Sequence, residues 1–438
     1  MLYWMQQSQR AGWNPALECA VARANELSLP VVVGFGLDVS YPDANRRHFA
    51  FMLEGLAETA RELHDRGIAF VARRGSPPGV AAELGADAAL VVCDRGYLRH
   101  QRRWREDLAR ELDCALVQVE GDVVVPVESV SGKREWAART IRKKILSVRD
   151  DFLSRQGAVK ARCELPAGQA DDGIDIEDRE RVLDELDVDA SVPPVVRFTA
   201  GSGAARNLLT AFLRSNLPGY AEKRNDPANP HSSELSPYLH FGQISPVEIA
   251  WKVNRSQGPS DEDKAAFLEE LIVRRELACN FTQFEPDYDR YSSLPDWALQ
   301  TLAEHADDER EHVYTRNELE QGQTHDRYWN AAMREMRATG YMHNYMRMYW
   351  GKKIIEWTNT PEYAYRTALY LNNRYFLDGR DPNSYANVGW LFGLHDRAWT
   401  ERDIFGKVRY MNANGLESKF DMAGYIERVE ALAEEEGA

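Results

Sequence analysis

Four short apolar runs punctuate the first third of the chain: LPVVVGFGL (29–37), IAFVARRG (68–75), AALVVCD (88–94) and CALVQVEG (114–121). Each has strand length and β-branched content, and between them lie helical patterns such as RHFAFMLEGLAETARELHDR (47–66). Strands that alternate with helices pair in parallel through right-handed crossovers, which predicts a doubly wound sheet over roughly residues 1–130. Such a sheet offers a crevice at the carboxyl ends of its strands, a common seat for nucleotide-like ligands. The glycine fingerprint GxGxxG is absent, so no dinucleotide site is assigned to it.

The pattern then changes twice. Residues 156–200 carry PAGQADDG, an acidic run and SVPPVVRFTAGSG, the composition of a connector with one short helix of its own. From about residue 200 the strand pattern is gone. Amphipathic helical stretches take over at 203–215, 245–256, 260–282, 326–357, 360–374 and 421–436. The expectation is an α/β N-terminal domain (1–155), a linker (156–200) and an all-α C-terminal domain (201–438), as the length of 438 residues also suggests.

Composition narrows the function classes. With 44% hydrophobic and 28% charged residues the chain reads as a soluble globular protein, and no apolar run reaches the ~20 residues of a membrane span. The start, MLYWMQQSQRAGW, lacks the order of a secretory signal, so a cytoplasmic location is expected. Cys19, Cys93, Cys114, Cys163 and Cys279 form no CxxC pair, which argues against a disulfide framework and against zinc. A net charge of −15 disfavours a nucleic-acid partner on average. Acidic residues, however, gather in 170–190, 284–309 and the tail, while 95–105, 133–155, 327–353 and 394–411 are basic or mixed, so a basic face is possible.

Four stretches carry candidate chemistry. HSSELSPYLHFGQISP (231–246) places Ser232, Ser233 and Ser236 at a helix start, which suits either an anion or ordinary capping. AFLEELIVRRELACNF (266–281) sets Glu270 one turn from Arg274 on an apolar helix, followed by Arg275, an ion-pair network or a site. RYFLDGRDPNSYANVGW (374–390) reads as a long polar loop ending on Trp390. YMHNYMRMYWGKKIIEW (341–357) packs two Trp, three Tyr and three Met into one turn-rich helical stretch, with Trp350 and Trp357 seven residues apart and so nearly on one face. By periodicity alone this is an aromatic seam between helices.

Together these stretches, with YWNAAMREMRATGYMHNYMRMYWGKKIIEW, LNNRYFLDGRDPNSYANVGW and HDRAWTERDIFGKVRYMN, resemble the class II cyclobutane pyrimidine dimer photolyases of the photolyase and cryptochrome superfamily. The resemblance covers nearly the whole chain, and the opening LYWMQQSQR is similar to the first strand of that class. It implies an α/β antenna domain and a helical domain holding FAD, active as the anionic reduced form FADH⁻, with a deazaflavin-type antenna as the expectation for that class. Tyr220, the run Ser232, Ser233, Glu234, Leu235 and Ser236, and Arg275, Asn344 and Arg380 match cofactor positions. Arg347 and Asp378 match the ion pair beside the flavin ring, and Asn372 the residue facing its N5.

The same resemblance assigns Trp350, Trp329 and Trp357, from the flavin outward, to an electron-transfer chain. Trp390 and Met348 match lesion-contacting positions, and Glu270 matches a carboxyl group at the damaged bases. Arg274 stands where several relatives place a second stacking Trp. The implied activity is light-driven repair of pyrimidine dimers in double-stranded DNA, without a metal. The alternatives are a cryptochrome-type blue-light flavoprotein, a photolyase for the other ultraviolet lesion, and, more distantly, a colourless nucleotide- or RNA-binding protein.

Overall fold

The computed structural model describes residues 1–155, 157–166 and 173–437; residues 167–172 of the expected connector lie outside them. The N-terminal part is a five-stranded, all-parallel sheet in the order β3-β2-β1-β4-β5. Its strands are β1 (Leu2–Trp4), β2 (Val32–Leu37), β3 (Ala69–Arg74), β4 (Val91–Asp94) and β5 (Leu116–Val119). Four of them are the apolar runs of the sequence. The fifth, β1, is the centre of the sheet, pairing Leu2 with Val32 on one side and with Val91 on the other. Three residues are too short for any periodicity to show.

Asp94, at the carboxyl end of β4, fixes the chain that leaves β1. Its carboxylate accepts from the Tyr3 hydroxyl at 3.0 Å and from the backbone N–H groups of Gln6, Gln7 and Ser8 at 2.9–3.0 Å. The strand order reverses between β1 and β4, the topological switch point where such folds place ligands.

Helices cover both faces. The Arg46–Asp65 helix buries Phe49, Leu53, Leu56 and Leu63 against the sheet, at the spacing of one helical face. The connector carries the short helix Arg179–Asp184, as expected, and buries Val182, Leu183 and Leu186 in the same core.

The remainder is helical, with three departures from the expected stretches. The 326–357 stretch is two helices, Arg327–Thr339 and Asn344–Trp357, because Gly340 turns left-handed (φ 68°) and ends the first. The 260–282 stretch holds a π-helical segment, Glu269–Arg274, between the α-helices Asp261–Leu268 and Arg275–Phe284. The polar loop expected over 374–390 is only six residues long. From Pro382 the chain is a helix to Leu391, started by Asp381, whose carboxylate accepts the Ser384 N–H at 2.9 Å, and Trp390 stands on that helix. Asp-Pro-Asn-Ser, read as a turn, is an N-cap followed by proline at the first helical position.

Buried polar side chains join the sheet to the helices. Arg47 donates to the carbonyls of Pro193 and Tyr375, both at 2.9 Å, and Arg10 donates to Gly242 at 2.8 Å. Glu276 accepts from the Val124 and Val125 N–H groups at 2.7 and 3.1 Å. The Ala138–Phe152 helix, still within the first 155 residues, buries Ala138, Ile141 and Ile145 in the helical core.

Candidate functional site

The Asn344–Trp357 helix organises the site. Arg347 forms a two-pronged ion pair with Asp378, both N–O distances 3.0 Å, and its guanidinium lies 3.9 Å from the centroid of the Phe376 ring. The planar fork matches the carboxylate and leaves the half-buried cation fixed in direction. On the other side Arg347 is 5.5 Å from the Tyr341 ring, and the Tyr341 hydroxyl donates to Ser232 at 3.2 Å. The serine run and the ion pair, more than a hundred residues apart in sequence, thus meet through one tyrosine.

Around the serines, Glu234 adopts a left-handed conformation (φ 54°), pairs with Arg197 at 2.5 Å, and is followed by buried Leu235 and the short Ser236–His240 helix. Ser232, Ser233 and Ser236 stay partly open and Asn344 is exposed, so their polar groups remain accessible. Glu270 does not pair with Arg274. It binds Arg224 at 2.7 Å, and Arg224 in turn lies 5.9 Å from the Tyr220 ring. Arg274 turns to Glu269 at 3.3 Å. The π-helical widening spreads these charged side chains beyond the register that an α-helix predicts.

Arg275 is buried, and its guanidinium is held by Asp122 of the sheet domain at 2.5 Å. The structure therefore gives it a joint between the two halves. Asn372 is buried and donates to Asn373 at 3.0 Å, and Asn373 donates to Asp43 at 2.9 Å. Arg380 is left-handed (φ 66°) and buried beside His240 at 3.3 Å, with its Nε unpartnered. Its backbone N–H donates to Asn373 at 3.1 Å, and Arg380 also lines a cavity at the carboxyl ends of β1 and β2, with Gln9, Phe35, Tyr41, Phe49 and Trp104 among others. The side-chain atoms Gln6 Nε2, Gln9 Oε1 and His240 Nδ1 also lack partners there. Buried polar atoms without partners around an aromatic-lined cavity suit a flat ligand with polar edges.

Trp329 links the other two tryptophans, one through its backbone and one through its ring. Trp329 donates its Nε1–H to the Trp350 carbonyl at 2.9 Å, and its ring lies 5.7 Å from that of Trp357. Trp350 follows Arg347 by one turn. Trp357 meets Tyr314 (5.7 Å) and His325 (5.1 Å), both nearer the surface. Met348 and Trp390 are half-buried. Lys352 Nζ is 5.1 Å from the Trp390 centroid and Arg409 is 5.6 Å from it; Arg409 also reaches the exposed Trp399 at 5.0 Å. Among the described residues there is no cluster of His, Cys, Asp and Glu able to hold a metal, and no helix long and apolar enough to cross a membrane.

Sequence reading did not find Arg224, Tyr341, Lys352 or Asp326. Asp326 caps the Arg327–Thr339 helix through the N–H groups of Tyr328 (2.9 Å) and Trp329 (3.0 Å) and accepts the Tyr349 hydroxyl, which puts a carboxylate beside the middle tryptophan. Only the Asp in THDRYW, one residue before a helical pattern, signalled it.

This arrangement of a parallel sheet and a helical body is that of the photolyases and cryptochromes. A bacterial class III photolyase from Agrobacterium tumefaciens superposes with a TM-score of 0.75 at 19% identity, over all of this chain and 89% of that one. An archaeal photolyase from Sulfolobus tokodaii with two FAD molecules does so at 17% identity, over 98% and 89%. A DNA photolyase family model matches residues 1–165.

Curated proteins named deoxyribodipyrimidine photo-lyase align over nearly the full length. The one from Methanothermobacter thermautotrophicus is 47% identical, covering 99% of this chain and 95% of its own. The one from Oryza sativa subsp. japonica is 41% identical (99% and 88%) and that of Potorous tridactylus 38% (98% and 81%). The chain belongs to the DNA photolyase family.

Proposed function

We propose that the protein is a deoxyribodipyrimidine photo-lyase of the class II type, which uses FAD and blue light to split cyclobutane pyrimidine dimers in double-stranded DNA. The observation that carries this reading is the Arg347–Asp378 pair one turn from Trp350, whose backbone carbonyl accepts the Trp329 indole, which in turn packs on the Trp357 ring. Residues 1–155 are the antenna domain, 156–200 the linker and 201–438 the catalytic domain of a cytoplasmic enzyme.

The residues fit FAD. Ser232, Ser233 and Ser236 present partly open hydroxyls for a diphosphate, and Asn344 is exposed. Reduced FAD, when bound and excited, supplies the single electron that opens the cyclobutane ring and is returned afterwards. Arg347 favours the anionic reduced form by its charge, and Asn372 offers an amide able to donate or accept. Trp357, Trp329 and Trp350 would pass electrons inward one at a time from an external reductant to the bound flavin. The cavity holding Arg380 is the proposed seat of a deazaflavin-type antenna, which moves Arg380 from the catalytic cofactor to that site.

DNA meets the face carrying Trp390, Trp399 and Arg409, where cations flank aromatic rings in a protein of net negative charge. The dimer flips out at lower cost than a normal pair because its stacking is already impaired. Trp390 stacks on it, Met348 and Arg274 border it, and Glu270, held by Arg224, meets its bases.

The test is to purify the protein, record its absorption spectrum, and mix it under reductant with thymine-dimer oligonucleotide in light and in dark. A flavin spectrum with light-dependent dimer loss is expected. Flavin without repair would move the protein to the cryptochrome reading, and a colourless protein would overturn the proposal.

A further inference from the structure

We infer that Lys352 is the positioning residue of the lesion platform: from behind the indole of Trp390 it sets the plane on which a flipped-out dimer stacks and keeps a positive charge there. The inference rests on the reading of Trp390 given above. Lys352 stands one turn beyond Met348 on the Asn344–Trp357 helix and is fully buried (0%), a rare state for a lysine. Its ammonium donates to the carbonyl of Leu391, the last residue of the helix that carries Trp390, and lies 5.1 Å from the Trp390 centroid.

A helix-terminal carbonyl and an indole face are both electron-rich, so one buried cation locks the end of the helix and the ring it presents. Gly351 makes the approach possible, since a Cβ there would lie 2.2 Å from Leu391 Cδ1. The charged groups that reach Lys352 are Asp396 and Arg409. Burial, the larger influence, pulls the amine down to about 7, with Asp396 opposing and Arg409 adding to the shift.

Two consequences follow for the substrate. The indole plane is fixed before the dimer arrives, so less ordering is lost on stacking. A charge one ring away also favours the negative charge that the dimer carries after electron uptake, in a place shielded from water.

The experiment measures binding in the dark, which needs no photochemistry. Affinities for dimer-containing and intact duplexes are compared for the wild-type protein, Lys352→Met, Lys352→Arg and Trp390→Ala between pH 6 and 9. Lys352→Met is expected to lose roughly tenfold in selectivity for the dimer, a loss within reach of one desolvated cation–ring contact, with intact-DNA affinity unchanged. Lys352→Arg keeps its charge and is expected to retain wild-type selectivity across the range. Wild-type selectivity should decline as pH rises through about 7, where Lys352 loses its proton.

Unchanged selectivity in Lys352→Met overturns the inference, as does a Lys352→Arg protein as poor as Lys352→Met, which would make the residue mere packing. If Lys352→Met does not fold, Lys352→Gln, which keeps a donor for the Leu391 carbonyl without the charge, takes its place, and unchanged selectivity in it overturns the inference. Should Trp390→Ala lose affinity equally for both duplexes, the platform reading itself fails, a result separable from failure of Lys352 alone.

Discussion

At the residue scale, function depends on how few atoms separate the partners. Trp350 has a buried, unpartnered Nε1 and receives the Trp329 indole on its carbonyl, so it is placed by the backbone more than by its own ring. Trp350→Phe keeps an aromatic ring there but raises the cost of one-electron oxidation. Photoreduction of bound oxidised FAD should slow by roughly tenfold or more, equivalent to at least ~1.4 kcal/mol of barrier. Repair by chemically reduced enzyme should stay near wild type, as transient absorption and a repair assay would establish together; normal photoreduction would sink the relay. Asp326→Asn, which removes the carboxylate beside Trp329, should also slow photoreduction, by a few-fold, in the same transient-absorption measurement. The resemblance named Trp350, Trp329 and Arg347. The partners Lys352 and Arg224 were not legible, because each acts through a contact to a segment dozens of residues away that no local pattern encodes, and Asp326 showed only as a helix cap.

At the level of elements, the repeated strand–helix signal made four strands and most helices readable, whereas the breaks were not. Gly340, the π turn at Glu269–Arg274 and the Asp381 cap depend on single backbone angles, one extra residue per turn or one side-chain hydrogen bond. A window of eleven or more residues averages over such features. Gly351 shows why they count. Alanine there would gain helix propensity of up to ~1 kcal/mol. It would also place a methyl 2.2 Å from Leu391 Cδ1 and 2.9 Å from its Cγ, against overpacking costs of ~1–3 kcal/mol. The second effect should win, so Gly351→Ala is expected to lower the thermal midpoint by a few degrees in a melt followed by circular dichroism. A raised midpoint would show that Leu391 simply turns aside.

Taken as a whole, the molecule also buries groups that favour their neutral forms. His48 and His240 are pushed well below the usual histidine range by burial first, with Arg380 adding to it. Burial likewise brings His343 to about 4 and His395 to about 3. For a histidine with a depressed folded value, the stabilisation is present above the unfolded value near 6.5 and is lost as pH falls below it. Glu276 works oppositely: burial raises it to about 8, so its contribution is present below ~4.5 and lost as pH rises through 8. Burial lowers His100 to about 4 as well, and these histidines oppose the raised Glu276 and Asp381, so stability should fall from pH 6.5 to 4, as urea midpoints at half-unit steps would measure. Glu276→Gln should stabilise at pH 8, because both backbone donors meet the one oxygen that the amide retains.

The position of β1 bears on how the protein is made. The middle strand of the sheet leaves the ribosome before either of its partners, one arriving some thirty residues later and the other near residue 91. Until the stretch through β5 has been synthesised, Leu2–Trp4 has no settled place, and the emerging chain carries an unpaired apolar strand together with incomplete sheet edges. Parallel pairings of such long separation form slowly. Nascent chains stopped before residue 91 should therefore depend on chaperones, and the sheet-containing half should acquire protease resistance in one late step instead of strand by strand.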